Sequence, residues 1–271
     1  MTSSLLSLEE GNIPLLVSIP HLGTQLPAEL LESYSSEAKI VSDTDWHLDT
    51  LYGFARAMGA SVLRPSISRY VIDLNRPPTG ESLYPGQTTT GLCPTETFEG
   101  VALYRDGHEP DGVEIERRLR SYWQPYHQAL KLELERLNRI HGKVLLWEAH
   151  SIRSVLPRLF NGKLPDLNFG TNSGAACNPA IFDAALLPLL QQPVGVRPTH
   201  AVNGRFKGGY ITRHYSQPAA GIHVIQLEIC QSLYMNEVAP FAYRADLAAK
   251  IQPLLRQMME SALGALDDFP G

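Results

Sequence analysis

Three apolar runs of this chain each end in a side chain that can hold a metal ion or move a proton. The runs are residues 15–21, 144–150 and 222–228, and they end in His21, His150 and Glu228. Short runs of this composition predict buried strands. Because open α/β sheets collect their chemistry at the carboxyl ends of the strands, we expect the three side chains to meet there. Two imidazoles and a carboxylate in one place predict a hydrolytic metal centre.

A third, acidic ligand would complete a site for one Zn²⁺ ion. Catalytic zinc generally takes three protein ligands and leaves a fourth position open for water. Asp43, Asp45 and Asp49 are the candidates, since all three are packed into residues 42–49. Asp43 or Asp45 could instead cap the helix predicted to follow, by accepting backbone N–H bonds. The spacing leaves open which aspartate reaches the metal.

Glu228 closes a strand that is apolar on both faces, where an unpaired carboxylate is unfavourable. Beside an activated water it would act as the general base when a carbonyl is attacked. The alternative is a structural glutamate that an arginine or backbone donors satisfy. A covalent mechanism through Cys230 or Ser151 is less favoured, because neither residue lies in a Gly-x-Ser-x-Gly turn and nothing nearby in sequence activates a thiol.

A second group of residues offers hydrogen-bond donors to an anionic substrate. Arginine binds a carboxylate with two parallel bonds, and glycine permits close backbone approach. Such a group predicts a small dicarboxylic ligand. For Arg69 and Arg76 the alternative is an internal ion pair with Asp73. The predicted substrate-binding residues are Arg69, Asn75, Arg76, Arg205 and Arg213, the last two flanking Gly208 and Gly209.

Alternating apolar runs and helical patterns predict an α/β fold with strands flanked by helices. Helices are predicted over 45–58 and 113–141 and near 247–258, and further strands over 61–64 and 70–74. Gly59 and Gly142 are the predicted ends of the first two helices. Pro125 and Pro253 are predicted to bend the second and third.

Residues 77–112 are rich in Gly, Pro and Thr and predict a long loop. A loop of this length in a compact domain is more often functional than idle, so we expect a wall or lid over the site. The alternative is an ordered surface excursion. With 271 residues and 44% hydrophobic composition, the chain can bury one large core, and we expect a single domain over 1–271.

The charge pattern and the apolar runs limit the classes of partner and the cellular compartment that we expect. A net charge of -5 without a basic block argues against a nucleic acid or an anionic membrane as partner. No apolar run is long enough to span a bilayer, and Met1 to Ser4 do not begin a signal peptide. We therefore expect a cytoplasmic protein with a small-molecule substrate. Cysteine occurs three times, an odd number, at the widely spaced positions Cys93, Cys177 and Cys230. This pattern predicts reduced thiols. Oligomeric state is left open.

Taken together, these blocks resemble the N-formylglutamate amidohydrolase (deformylase) family over nearly the whole chain. The matching segments are residues 17–21, 42–46, 68–77, 84–87, 122–127, 149–154, 203–215 and 226–228. The resemblance implies hydrolysis of N-formyl-L-glutamate in histidine degradation, on a mixed sheet similar to zinc carboxypeptidases and aspartoacylases. It also implies that His21, Asp45 and His150 hold zinc and that Glu228 is the general base. Asn75 and Arg76 resemble the Asn-Arg pair that binds a substrate carboxylate.

The chain departs from those relatives at two positions. Carboxypeptidases and aspartoacylases have a His-x-x-Glu unit, whereas residues 21–24 contain no acid. Typical relatives have Asp-x-His, whereas Glu148 stands two residues before His150 here and would orient the imidazole. Two other functions stay open, a metal-dependent acylase or carboxypeptidase acting on another N-acyl amino acid and a non-catalytic small-acid-binding relative.

Overall fold

The computed structural model describes residues 5–83, 86 and 89–267. Within them, seven strands form one mixed sheet in the order β1-β3-β2-β4-β7-β5-β6. The strands are β1 (Leu6–Glu9), β2 (Leu15–Ser18), β3 (Ser61–Pro65), β4 (Val144–Ile152), β5 (Leu167–Gly170), β6 (His200–Val202) and β7 (Ile222–Cys230). Neighbours run parallel except at two places, where β1 opposes β3 and β5 opposes β7. The predicted α/β fold with a mixed, helix-flanked sheet is confirmed.

Helices cover both faces of this sheet. They are α1 (Leu48–Leu51), α2 (Phe54–Met58), α3 (Gly112–Arg118), α4 (Gln124–His141), α5 (Pro179–Leu190), α6 (Tyr210–Tyr215) and α7 (Ala245–Asp267). Because β2, β4 and β7 are buried on both faces, their side chains are apolar without alternation. Val17, Trp147 and Leu227 pack with α5 and α7 on one face, and Leu16 and Leu146 pack with α4 on the other.

The helix predicted over 45–58 is wrong in its start and its continuity. Helix α1 begins at Leu48, and Tyr52 and Gly53 separate it from α2. The residue before α1 is His47, and among the described residues no side chain caps that helix. The capping alternative for Asp43 and Asp45 is therefore wrong. Gly59 ends α2 with φ 91°, as predicted.

The helix predicted over 113–141 consists of three consecutive segments. A π-helical turn, Leu119–Trp123, lies between α3 and α4. Pro125 occupies the first turn of α4, so the interruption precedes the proline. Gly142 ends α4 with φ 73°, as predicted. Near the end of the chain, α7 runs unbroken through Pro253.

The strand predicted over 70–74 is wrong. These residues form turns, and their backbone groups bond to loops and side chains instead of a neighbouring strand. The N–H of Asp73 donates to the carbonyl of Leu92, and the carbonyl of Tyr70 accepts from the Tyr34 hydroxyl. The strand over 61–64 is confirmed as β3, whereas β1 was not predicted.

The long loop is confirmed up to the start of α3, since its described residues form only turns and isolated bridges. Tyr84, Pro85, Gln87 and Thr88 lie outside the described residues. All three cysteines are free, as predicted. Among the helices that the structure describes, none is both long and apolar enough to be a membrane span.

Candidate metal centre and substrate cleft

Sheet pairing brings the predicted functional side chains to one place. His150 and Glu228 are register partners on the adjacent parallel strands β4 and β7, so their side chains lie on the same face of the sheet. His21 follows β2, the neighbour of β4 on its other side. The His21 and His150 rings lie 4.9 Å apart between centroids. The predicted convergence of the two histidines is therefore present.

Asp45 lies between the two imidazoles. Its backbone N–H donates to the carbonyl of His21, at 3.0 Å, which fixes this segment against the end of β2. Its Oδ2 lies 3.2 Å from Nδ1 of His150 and 3.6 Å from Nδ1 of His21. All three side chains are buried. The three ligand atoms lie within 4.8 Å of one another.

A second carboxylate holds the far side of each imidazole. His21 Nε2 donates to Asp73 Oδ1 at 2.7 Å. His150 Nε2 donates to Glu148 Oε1 at 2.9 Å, and the Thr212 hydroxyl donates to the other oxygen of Glu148 at 2.7 Å. A proton held on Nε2 leaves the lone pair of each neutral ring on Nδ1, which faces Asp45. Carboxylates that orient histidines in this way are typical of metal sites.

The donor set fits a zinc ion. With zinc–ligand bonds of about 2.0–2.1 Å, tetrahedral ligand atoms are separated by about 3.4 Å, which the 3.2 and 3.6 Å separations bracket. Two imidazole nitrogens and a carboxylate oxygen are also ligands that zinc accepts. In addition, Asp45 Oδ1 is buried without a hydrogen-bond partner in the described residues. The ion pair of this oxygen with Arg69 is long, at 3.9 Å, so a cation beside Asp45 would supply the close partner that Oδ1 lacks.

The electrostatics of the cluster favour positive charge at this point. Burial alone would raise the pKa of Asp45, but the neighbouring His150 and His21 outweigh it and hold this pKa well below its usual value. Burial would lower the pKa of His150, but the Glu148 and Asp45 carboxylates reverse this effect and raise it to about 10. A proton or a cation is therefore stabilised between these groups.

Glu228 faces the same cleft. Its side chain lines the cavity beside His21 and His150 and is 8% exposed. Burial raises the pKa of Glu228 to about 8, and the Asp45 carboxylate adds to the shift against the opposing charges of His150 and Arg69. A carboxyl group that titrates near neutral pH can both accept and return a proton.

The other two candidate aspartates lie away from the histidines. Asp43 Oδ2 accepts from the backbone N–H of Phe98 at 2.7 Å, so it anchors the long loop. The carboxylate of Asp49 is 41% exposed and lies 3.8 Å from Arg64. Of the three aspartates, only Asp45 contacts His21 and His150.

Arg69 forms the internal ion pair with Asp73 that the sequence offered as the alternative to substrate binding. Its Nη2 donates to Asp73 Oδ2 at 2.7 Å, and its guanidinium lies 4.7 Å from the centre of the Phe98 ring. The side chain lines the cleft but is only 6% exposed. Much of its charge is therefore balanced within the protein.

Asn75 and Arg76 lie in the turn that replaces the predicted strand. Asn75 Oδ1 accepts from the backbone N–H of Ile211 at 2.9 Å, and its Nδ2 lies 3.1 Å from His150 Nε2. Arg76 donates through Nε to the carbonyl of Thr90 at 2.9 Å. Its Nη1 lies 3.9 Å from Asp73, a longer separation than that of Arg69. Both residues line the cleft.

The two other predicted arginines differ in position. Arg205 lines the cleft, with its guanidinium 5.7 Å from the centre of the Phe160 ring. Arg213 lies on α6, where its Nε donates to the carbonyl of Gly208 at 3.0 Å, and it does not line the cleft that the described residues form. Gly209 packs against Asn75, where a Cβ atom would lie 2.3 Å from Nδ2.

The cleft encloses about 670 Å³, including space open to solvent. Thr89, Thr90 and Phe98 of the long loop form part of its wall. Sequence reasoning missed Phe98 and Gln226 as lining residues, and it placed Asp73 only as an ion-pair partner. The cysteine alternative has no support here, because Cys230 is fully buried and burial raises the pKa of its thiol to about 12.

Comparison with known proteins decides the family. The model of the N-formylglutamate amidohydrolase family matches residues 13–235. The chain belongs to this family. The amidohydrolase match covers every residue of the candidate site, from His21 to Glu228.

Related proteins agree with that assignment. N-formylglutamate deformylases of Pseudomonas putida and Pseudomonas aeruginosa are each 49% identical to this chain over 258 residues, which is 95% of this chain and 95% and 96% of theirs. A crystal structure of N-formylglutamate amidohydrolase from Ralstonia eutropha JMP134 has a TM-score of 0.78 and 25% identity, and covers 96% of this chain and 99% of its own. A gene product from Agrobacterium tumefaciens, at 19% identity and a TM-score of 0.73, shares the fold.

Proposed function

We propose that this protein hydrolyses N-formyl-L-glutamate to formate and L-glutamate, as a zinc-dependent cytoplasmic enzyme of histidine degradation. One observation carries the proposal. Asp45 lies between two carboxylate-held imidazoles, and Glu228 and the cleft arginines face the same cavity. The substrate is that named for the two deformylases that are 49% identical to this chain.

His21, Asp45 and His150 are the residues that would hold the zinc ion. When bound, such an ion polarises a carbonyl and makes water a stronger acid. Asp73 and Glu148 keep the two imidazoles in the tautomer with a free Nδ1. They also supply negative charge behind the ligands, which favours a cation over an empty site.

Glu228 is the proposed proton carrier. Its carboxylate takes a proton from the water that attacks the formyl carbon, and it gives that proton to the nitrogen when the C–N bond breaks. The products are then formate and the free amino group of glutamate. Glu228 on β7 is the register partner of His150, and this position supports the role. One carboxylate then lies beside both the attacking water and the departing amine nitrogen.

Arg76 and Arg205 are the proposed contacts of the two substrate carboxylates. Both line the cleft, and guanidinium groups bind carboxylates with two parallel bonds. Arg69 contributes less to binding, because Asp73 already accepts its hydrogen bond at 2.7 Å. Asn75 supports the same wall by accepting from the backbone N–H of Ile211 at 2.9 Å. Arg213 is not part of this proposal, since it does not line the cleft.

Formate release from N-formyl-L-glutamate tests the function directly. We expect turnover of this substrate and much lower turnover of the N-acetyl and N-succinyl analogues. Preferred cleavage of an analogue would indicate an acylase with another specificity. Binding of L-glutamate without release of formate would indicate a non-catalytic relative. Either result would contradict the proposal.

A further inference from the structure

The segment from Leu74 to Arg76 carries two predicted substrate-binding side chains, yet it belongs to no strand or helix. Regular elements position side chains through their own hydrogen bonds, whereas a turn needs outside partners for its carbonyl groups. The three carbonyls of this segment all have such partners. Helix α4 and the turn before it supply two of them.

Trp123 is the last residue of the π-helical turn Leu119–Trp123. Its indole Nε1–H donates to the carbonyl of Arg76 at 3.1 Å. Its ring stacks on that of His127, with 3.7 Å between centroids. Trp123 as a whole is 9% exposed. Turns of π-helix are rare and occur frequently at functional sites.

His127 holds the other end of the segment. Its Nε2 lies 2.9 Å from the carbonyl of Leu74, and a carbonyl only accepts, so Nε2 carries the proton. The Tyr215 hydroxyl, 2.9 Å from Nδ1, faces the remaining lone pair. Burial lowers the pKa of His127 to about 3, which keeps the imidazole neutral. Between these two bonds, the carbonyl of Asn75 accepts from the N–H of Tyr210 at 3.3 Å.

We infer that Trp123 and His127 are positioning residues, which fix the backbone of residues 74–76 and thereby aim Asn75 and Arg76 into the cleft. The inference rests on the proposed function, because it assigns these two side chains to substrate capture. Neither Trp123 nor His127 lines the cleft that the described residues form. Their effect on the substrate therefore passes through Arg76 and Asn75.

A double-mutant cycle of Trp123→Phe with Arg76→Ala tests the inference. Phenylalanine keeps a stacking ring but removes the N–H that bonds the Arg76 carbonyl. We expect W123F to raise KM for N-formyl-L-glutamate, and Kd for L-glutamate by calorimetry, about two- to tenfold, the range for one hydrogen bond. We expect kcat to change less than about twofold, because the metal ligands are untouched.

In the R76A background, W123F should weaken binding less than in the native protein, because only the effect through Asn75 then remains and coupled residues give non-additive effects. Equal weakening in both backgrounds would overturn the inference, as would a lowered kcat with unchanged KM. Trp147→Phe is the matched control, because its buried indole donates to Tyr52 on the opposite face of the sheet. The control should leave KM and Kd unchanged.

A second pair of variants covers the case in which W123F does not fold. His127→Gln keeps a donor for the Leu74 carbonyl, whereas His127→Leu removes it. We expect H127L, but not H127Q, to weaken L-glutamate binding, and equal affinities would overturn the inference. The glutamate titration separates this test from the proposed function. If W123F and R76A are coupled in the Kd for L-glutamate but the native protein releases no formate, only the proposed function is contradicted. If W123F binds L-glutamate as the native protein does and formate release is normal, only the inference is contradicted.

Discussion

The candidate metal centre and the arginine-lined wall share one cleft but are built in different ways. At the centre, sheet pairing fixes the positions of His150 and Glu228, and buried carboxylates hold both imidazoles. At the wall, Arg76 lies in a turn whose carbonyls depend on Trp123 and His127. Strand pairing therefore holds His150 and Glu228 of the proposed reaction site, whereas the proposed substrate contact at Arg76 depends on neighbouring helices and loops.

This difference predicts two kinds of variant. Changes at the centre should lower turnover, because the proposed function places these groups beside the reacting atoms. Changes at the wall or its supports should mainly raise KM. A variant at the centre that mainly raises KM, or a variant at the wall that mainly lowers turnover, would contradict this difference.

The largest effect is expected for Glu228→Gln. The amide keeps the size of the side chain but cannot take a proton, so kcat should fall about 10²–10⁴-fold, the usual contribution of a general base. Formate release at saturating substrate measures it, and metal content should match that of the native protein. Near-normal turnover would remove Glu228 from the mechanism.

Arg76→Ala should come next, with KM raised about 10- to 100-fold, since hydrogen bonds to charged groups contribute about 1.5–3 kcal/mol. The kcat value should change little. Arg76→Lys is the matched control, because it keeps the charge but loses the two parallel bonds, and its KM should lie between those of the other two proteins. An unchanged KM in R76A would move the carboxylate contact to another residue.

A smaller effect is expected at Asp43, which joins the loop wall to the segment of Asp45. Asp43→Ala leaves the buried N–H of Phe98 without an acceptor, so unfolding free energy should fall by about 1–3 kcal/mol. Asp43→Asn keeps an acceptor oxygen and should lose less. Urea denaturation measures both variants. Equal stability of D43A and the native protein would show that this bond does not hold the loop.

An effect of similar size is a pH dependence of stability from His127. Its pKa is about 3 in the folded protein because of burial, against about 6.5 in an unfolded chain. The contribution is therefore complete above pH 6.5 and is lost as the pH falls towards 3, because only the unfolded chain then takes up the proton.

Between pH 7 and pH 5 this loss amounts to about 2 kcal/mol. Urea denaturation at the two pH values measures it, with H127Q as the control that has no titrating group at this position. We expect the native protein to lose more stability than H127Q. An equal loss in both would show that His127 titrates alike in the folded and unfolded chains.

The sequence predicted the centre of the sheet better than its surroundings. β2, β4 and β7 are continuous apolar runs because both of their faces are buried, and such runs are recognisable without knowledge of neighbours. Residues 70–74 carry a similar apolar signal for another reason. Val71, Ile72 and Leu74 enter the core from a turn, and the contacts that form this turn come from distant residues such as Leu92 and His127.

Contacts between distant residues also limited the prediction of the candidate site. His21 and His150 were predicted because each lies at a predicted strand end, whereas Asp45 was chosen among three aspartates only through the family resemblance. The roles of Asp73 and Glu148 behind the imidazoles depend on distances across the fold, such as the 2.7 Å from Asp73 to His21. Phe98 could not be predicted either, because its place in the wall depends on a bond to Asp43, 55 residues earlier.

Metal content provides the most direct test of the central claim that His21, Asp45 and His150 hold one catalytic ion. Elemental analysis of the purified protein, of His150→Ala and of chelator-treated samples should be paired with formate release. We predict one zinc ion per native chain, loss of metal and activity together in H150A and after chelation, and recovery of the chelated native protein with Zn²⁺. Full turnover by a metal-free native protein would contradict the account.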